Sequence, residues 1–437
     1  MSRPESVLIL SAVSPVPIDN GKRMVLSGML TYFLDRLGSD NVHYAVIGRP
    51  GETRPPFGGA AYRLDPPATG EKLMTLGRMP FDRSYSAQEA MLGSRSLQRQ
   101  IHALTSWLSP TIEIYDTLRI GQHAPASPRP RCRVLYLDDL FSLRYDKMLD
   151  LKGADLAAID PLGEFAAHVP GVLRPVIRKP VVYRHLLQME RDRMHLRESE
   201  VVHGFDVNLL INTNEADALR ARSGSPKIRT ITGLMPRIEH LVRRPVAPPE
   251  FIFLGRLNIP HNDDGIRAFL KVAMPGLVQR MPDVVVRIIG KSPSRDLLAM
   301  VDQFPNNVRL EGFVDDLEPL FASATASLVP LRLGSGVKIK MLETLARGLP
   351  VLSTSDGVNG IPVSLDGSDG CLLEDDLSKW PEILCAMADP VHNTQLSKGA
   401  RTLFDRVYDR EAVMTQYDEI FGLRGRCLKD SADSLAG

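Results

Sequence analysis

The sequence predicts an α/β protein built from two Rossmann-like, doubly wound domains. Three observations lead there. Short apolar runs alternate with helical patterns along most of the chain, the rhythm of parallel sheets wrapped by crossover helices. The chain has 437 residues, more than one hydrophobic core usually serves, so two domains are expected. A polar, proline-rich segment from Pro236 to Pro249 separates the halves, as a linker would. The resulting division is a first domain over 1–240, a linker over 241–250 and a second domain over 251–408. A C-terminal helix and tail occupy 409–437, the helix having the option of packing back on the first domain.

Val7–Leu10 is the first strand of this reading, followed by a Pro- and Gly-rich loop and a helix over Met24–Leu37. Val42–Ile47 is the second strand. Residues 49–90 are rich in Pro, Gly and Arg and read as loop with some helix. Ile112–Tyr115 and Val134–Leu137 are further strands, 181–203 a long charged helix, and Val207–Ile211 a strand. The Asn212-Thr213-Asn214-Glu215 that follows has the look of a helix N-cap. The second half repeats the rhythm more cleanly, with strands at Phe251–Leu254, Val284–Ile289, Val308–Leu310, Ser327–Pro330 and Val351–Ser353. A last helix covers Glu411 to Phe421.

Composition narrows the function classes. The chain is 43% hydrophobic and 24% charged with a formal net charge of +1, so no global field draws it to nucleic acid. Cys132, Cys371, Cys385 and Cys427 lie far apart, which points away from a zinc site, a redox pair or a disulfide framework and fits a reducing cytosol. The Val7–Leu10 run is too short for a signal peptide, and no stretch approaches the ~18–20 apolar residues of a spanning helix. The expected location is cytoplasmic. One basic stretch (Arg174, Arg178, Lys179, Arg184, Arg191, Arg193, Arg197) leaves open a peripheral contact with anionic lipid on the inner face of a membrane. Its plain reading is a solvated helix with acidic neighbours.

Chemistry concentrates between Phe251 and Ile361. Strands there end in Gly255-Arg256-Leu257, in Gly290-Lys291 and in Gly312-Phe313-Val314-Asp315-Asp316. Another runs into Gly334-Ser335-Gly336 and then Lys338-Ile339-Lys340-Met341-Leu342-Glu343, before Gly348-Leu349-Pro350-Val351 opens the next. Ligands of open parallel sheets bind at the carboxyl ends of the strands, so these turns are placed to line one cleft. Glycines before a helix let a phosphate approach the free N–H groups of its first turn. Lys340 and Glu343 are three apart and share a helix face. A cation there suits a diphosphate, and a carboxylate suits ribose or sugar hydroxyls; Arg256 adds a second cation. His185, His195 and His203 read as surface or core histidines, and no cluster has metal spacing, so no metal is expected.

These phrases, in this order, resemble the nucleotide-sugar domain of the "glycosyl transferases group 1" family. The resemblance is strong over about 110 residues of the second half and looser over most of the chain. It implies the GT-B fold, two Rossmann-like domains facing a central cleft, with acceptor bound by the first and donor by the second. The family's paired glutamates fall on Ser335 and Glu343, so the first is replaced. The lysine the family carries after Gly-Arg-Leu is missing from Asn258-Ile259-Pro260-His261-Asn262, and Lys340 or Lys338 stands in as the charge. In the first half, Gly21-Lys22-Arg23 resembles the family's glycine loop. Val134–Ser142, with Asp138 and Asp139, resembles a strand end where members carry a polar catalytic residue. Capping of the next helix by these aspartates stands equally open.

The resemblance implies transfer of a sugar from a nucleoside-diphosphate sugar to an acceptor hydroxyl, with retention and without a metal or other cofactor. The acceptor would be a glycan or a lipid-linked molecule in polysaccharide or glycolipid biosynthesis. Glu343, Asp138, Arg256 and Lys340 are the implied catalytic residues. Gly21, Gly255, Gly290, Lys291, Phe313, Gly334, Ser335 and Gly336 would join Arg256, Lys340 and Glu343 around the donor. A nucleotide-sugar epimerase on the same fold, and a non-catalytic sugar-nucleotide sensor or scaffold, are the alternatives.

Overall fold

The computed structural model describes residues 4–18, 21–48, 58–78, 85–127, 129–150, 180–235, 238, 241–332 and 337–423. The chain forms two compact units, Met1–Leu234 with Met414–Gly437, and Met235–Val413.

In the first unit, seven parallel strands run in the order β3-β2-β1-β4-β5-β6-β7. They are β1 (Val7–Ser11), β2 (Val42–Ile47), β3 (Ala60–Leu64), β4 (Ile112–Asp116), β5 (Cys132–Asp138), β6 (Val207–Leu210) and β7 (Ile228–Thr230). All of β1 and β4 is buried. Such strands, covered on both faces, read in the sequence as continuous apolar runs. In the second unit the order is β10-β9-β8-β11-β12-β13, with β8 at Glu250–Leu254, β9 at Val285–Ile289, β10 at Val308–Gly312, β11 at Ala326–Val329, β12 at Val351–Ser353 and β13 at Cys371–Leu373. Counted from its own first strand, each sheet begins 3-2-1-4-5-6, the doubly wound order. The order reverses between β1 and β4 in one unit and between β8 and β11 in the other.

Three strands depart from the sequence reading. The stretch 49–90 is not loop and helix alone, for β3 lies within it, and β7 and β13 are additional. All three are edge strands.

The N-cap at Asn212 is present: its side chain accepts the Asn214 N–H and starts the helix Thr213–Ser223. The end of the chain returns to the first unit through the helix Arg410–Phe421. Asp418 accepts hydrogen bonds from the Tyr32 hydroxyl (2.8 Å) and the Arg36 guanidinium (2.9 Å), and Tyr417 donates to the Thr232 carbonyl (2.7 Å). Among the described residues no helix is long and apolar enough to cross a membrane. In the charged helix Pro180–Val201, Arg191 pairs with Asp146 and Arg197 with Glu89, which favours its plain reading. Arg174, Arg178 and Lys179 lie outside the described residues.

The first unit holds buried carboxylates that set a pH dependence. Glu215 accepts the Leu140 N–H at 2.7 Å. Burial, followed by the charge of Asp139, pushes its carboxyl up to about 7. The folded chain therefore holds this proton more tightly than the unfolded one. The buried charge costs stability above pH 7, and the cost disappears as pH falls below the ordinary glutamate range. Glu215→Gln keeps an oxygen for Leu140 and carries no charge. It is expected to stabilise the protein by about 1 kcal/mol at pH 8, converging on the wild type toward pH 4. Chemical denaturation at the two pH values checks this; a less stable variant at pH 8 would contradict it.

Candidate nucleotide-sugar site

In the second unit the carboxyl ends of β8, β9 and β10 open into a cavity of about 490 Å³. Its walls include Gly255, Arg256, Gly290, Lys291, Phe313, Lys340 and Glu343. These seven residues span nearly 90 positions of sequence, and the sheet order places them around one cavity.

The strand ends approach each other too closely for side chains. A Cβ on Gly290 would lie 1.7 Å from the Gly255 carbonyl oxygen, and one on Gly255 would lie 2.9 Å from the Phe253 ring. Gly255 N–H donates to Ile289 O (3.0 Å), and Gly290 N–H donates to Gly312 O (2.7 Å). Glycine is thus required for the close approach of three strand ends, which keeps the cavity floor as bare backbone.

Three cations line the cavity. Arg256 is exposed and has no ion pair among the described residues. Of the aspartates near it in sequence, Asp263 pairs with Arg267 and Asp264 with Arg332. The Lys291 ammonium lies 3.7 Å from the centre of the Phe313 ring, which is 60% exposed. Lys340 keeps solvent contact at the mouth. Burial of its stem pulls its ammonium below the usual lysine range, Arg256 adds to this, and Glu343 opposes it.

Glu343 sits on the helix Ile339–Ala346, which buries Met341, Leu342 and Leu345 on its other face. Burial raises its carboxyl above the ordinary range, opposed by the charges of Arg347 and Lys340. Among the described residues this half-buried carboxylate accepts no hydrogen bond; only its main-chain carbonyl does, from Arg347 (3.2 Å). Such a group in a cavity wall is a ready acceptor for ligand hydroxyls. Gly334, Ser335 and Gly336 lie outside the described residues.

Sequence reasoning passed over His261. Burial, then the charges of Lys338 and Lys340, press its imidazole down to about 4, so it is neutral at physiological pH. Its pattern carried no metal or catalytic signal. The apolar walls Leu254, Val314 and Leu317 were also unassigned.

The other candidates lie in the first unit. Gly21 opens the helix Gly21–Leu37. Its neighbour Lys22 pairs with Asp116 at 2.8 Å, and Asp116 also accepts the Ser11 hydroxyl at 2.6 Å. Burial pulls on Lys22, but the charges of Asp116 and Asp138 outweigh it and hold the ammonium above its ordinary value. Asp138 ends β5 with φ at +71°, a conformation unusual for a residue other than glycine. Its carboxylate accepts the Tyr136 hydroxyl at 2.9 Å. Burial pushes it up to about 6; Lys22 works against this, Asp139 and Asp116 with it. The capping alternative for these aspartates is not what the helix Phe141–Asp150 uses. The Leu140 and Ser142 N–H groups at its start donate to Glu215 and Glu198, and Asp139 pairs with Arg144. The Ser11–Lys22–Asp116 set was not singled out in the sequence, since its members come from three separate elements.

Two doubly wound parallel sheets, with a glycine-floored cavity at the carboxyl ends of the second, define the GT-B class. Residues 248–389, within the second unit, match the family described as glycosyl transferases group 1. Phosphatidyl-myo-inositol mannosyltransferase of Mycolicibacterium smegmatis is 30% identical over 142 residues, covering 29% of this chain and 36% of that protein. The chain thus matches about a third of that relative's length. Among solved structures, sucrose-phosphate synthase of Thermosynechococcus elongatus aligns with a TM-score of 0.60 and 14% identity, over 96% of this chain and 98% of that one. HepE of Anabaena in complex with UDP aligns at 0.55 with 11% identity, over 95% and 99%. At these identities the likeness concerns the fold.

Proposed function

We propose that the protein is a glycosyltransferase that moves a sugar from a nucleoside-diphosphate sugar to an acceptor hydroxyl, with retention at the anomeric carbon. The observation that carries this reading is Glu343: a half-buried carboxylate in the wall of a glycine-floored, cation-lined cavity, with no hydrogen-bond donor of its own among the described residues. Arg256, Lys291 and Lys340 supply fixed positive charge for the diphosphate. As the sugar–phosphate bond breaks, negative charge grows on the leaving diphosphate, and preorganised cations stabilise it without a metal. Glu343 accepts hydrogen bonds from ribose or sugar hydroxyls and fixes the donor's orientation. The Phe313 ring and the apolar wall of Leu254, Val314 and Leu317 offer a surface for the base.

The acceptor belongs, on this proposal, to the first unit, near Gly21 and Asp138. An Asp138 poised near pH 6 suits a group that holds an acceptor hydroxyl. The acceptor class is a glycan or a lipid-linked molecule, by analogy with the mannosyltransferase relative, whose name specifies a phosphatidyl-inositol acceptor. The proposal includes a cytoplasmic location, with peripheral membrane contact to reach such an acceptor.

A thermal-shift screen against UDP, GDP, dTDP, ADP and CMP, each with and without EDTA, tests the donor site. One nucleotide is expected to stabilise the protein by about 2.7 kcal/mol at a hundredfold excess over its Kd, unchanged by EDTA. If folded protein responds to none of them, the donor reading falls; a response abolished by EDTA removes metal independence.

A further inference from the structure

The second unit contains another, larger cavity, of about 860 Å³. Its lining comes from the segment 241–249 before β8, from Thr325 before β11, from Ala346–Gly348 before β12, and from the first two-thirds of the helix Pro390–Tyr408 with Ala388 before it. Because the strands are parallel, this is the amino-terminal edge of the sheet, opposite the nucleotide-sugar cavity.

Its lining mixes two chemistries. Part of it is apolar and partly solvated: Val242 is 65% exposed and Val246 42% exposed, with Pro245, Pro249 and Pro390 also in the lining. The rest includes Arg243, Arg347, Lys398 and Arg401, with Thr394 and Ser397, whose hydroxyls donate to the Pro390 and Gly348 carbonyls. No Asp or Glu lines the cavity among the described residues. Two of the cations have carboxylates outside it, Arg401 with Asp405 at 2.8 Å and Arg347 with Glu318 at 3.7 Å. The other two have none among the described residues. Arg243 donates to the carbonyls of Ala324 (2.6 Å), Thr325 (3.1 Å) and Gly348 (3.2 Å) and to the Asn393 side chain (3.3 Å), while Lys398 is exposed.

Bracing three carbonyls and the Asn393 amide engages the two outer nitrogens of Arg243, and no carboxylate pairs with it among the described residues. Its Nε, like that of Arg347, is buried without an acceptor. Burial presses the Arg243 guanidinium down to about 10. In a chain whose formal net charge is only +1, this is a local excess of positive charge, next to an apolar face, in a cavity of ligand size.

We propose that this cavity is a second ligand site, taking a small organic phosphate whose anionic group is held by the cations of the lining, Lys398 among them, and whose apolar body lies against the exposed Val242 and Val246. Neither the nucleotide-sugar reading nor the family match assigns it a role. The two cavities lie at opposite ends of the helix Ile339–Ala346: Lys340 and Glu343 face one, Ala346 and the adjoining Arg347 the other. Since both would attract phosphate, variants must separate them.

The test is isothermal titration of the full chain with phenyl phosphate and, separately, with inorganic phosphate. Phenyl phosphate is expected to saturate a site and to bind more tightly than inorganic phosphate. Lys398→Glu reverses an exposed charge with no ion pair to break. It is expected to weaken phenyl phosphate binding about tenfold or more with an unchanged melting temperature. Lys340→Ala, at the nucleotide-sugar cavity, is expected to leave that binding as it was. The proposal is overturned by absence of saturable binding in the wild type, by Lys398→Glu binding as the wild type does, or by loss of binding in Lys340→Ala. Equal affinity for inorganic phosphate would overturn the role of Val242 and Val246.

Discussion

Glu343→Ala is expected to lower sugar transfer by about 100-fold, the worth of a charged hydrogen bond to a substrate held in an enclosed site. The melting temperature should stay within a few degrees of the wild type. The two expectations rest on different atoms. The helix Ile339–Ala346 is anchored by Met341, Leu342 and Leu345, which are fully buried and untouched by the change. The Glu343 carboxylate accepts no hydrogen bond within the described residues, and burial already disfavours its charge. Removing it takes away no contact that folding uses, and alanine is the best helix former available at that position. What is lost, on the proposed function, is the acceptor that orients the donor. Steady-state turnover, with circular dichroism as the check on folding, measures both. Wild-type turnover would remove Glu343 from the site.

How much of this was legible in the sequence depends on where each residue sits in a sheet. Central strands such as Phe251–Leu254 are covered on both faces and announce themselves as unbroken apolar runs. The strands that were missed are edges. β3 (Ala60–Leu64) alternates half-buried and exposed positions until Leu64, and the Ala, Tyr and Arg it contains give no apolar run. β7 (Ile228–Thr230) and β13 (Cys371–Leu373) are three residues long, too short for a period to register. The candidate cavity at the carboxyl ends was legible because glycine at a strand end leaves a mark: a Cβ on Gly290 would strike the Gly255 main chain, one on Gly255 the Phe253 and Asn262 side chains, and Lys340 and Glu343 share a helix. The Ser11–Lys22–Asp116 set was not, because its residues come from β1, the helix Gly21–Leu37 and β4 and meet only in the fold. The capping of the helix Phe141–Asp150, left open between two readings of Asp138 and Asp139, was not legible for a similar reason. Its N–H groups find carboxylates 75 and 56 residues away rather than the aspartates beside them. The cavity on the amino-terminal edge is built from chain segments that, read singly, are a proline-rich linker and the ends of helices.

Gly290→Ala is expected to be the most damaging single-methyl change in the second unit, costing about 3 kcal/mol and abolishing nucleotide binding. The new Cβ would lie 1.7 Å from the Gly255 oxygen and 2.8 Å from its carbon. Both atoms are main chain, so no side-chain rotation relieves the clash. The ends of β8 and β9 must separate, and with them go the bonds from Gly255 N–H to Ile289 O and from Gly290 N–H to Gly312 O. Those bonds hold the cavity floor, so stability and binding fail together. Gly312→Ala provides the contrast. Its φ of +68° strains any other residue, but a Cβ there meets nothing within 4 Å. That variant should lose only about 1 kcal/mol, the usual penalty for a side chain in the left-handed region, and should still bind nucleotide. Thermal denaturation and nucleotide titration of the pair separate steric closure from backbone strain. Should Gly290→Ala bind nucleotide as the wild type does, the close approach of the strand ends is not what shapes the site.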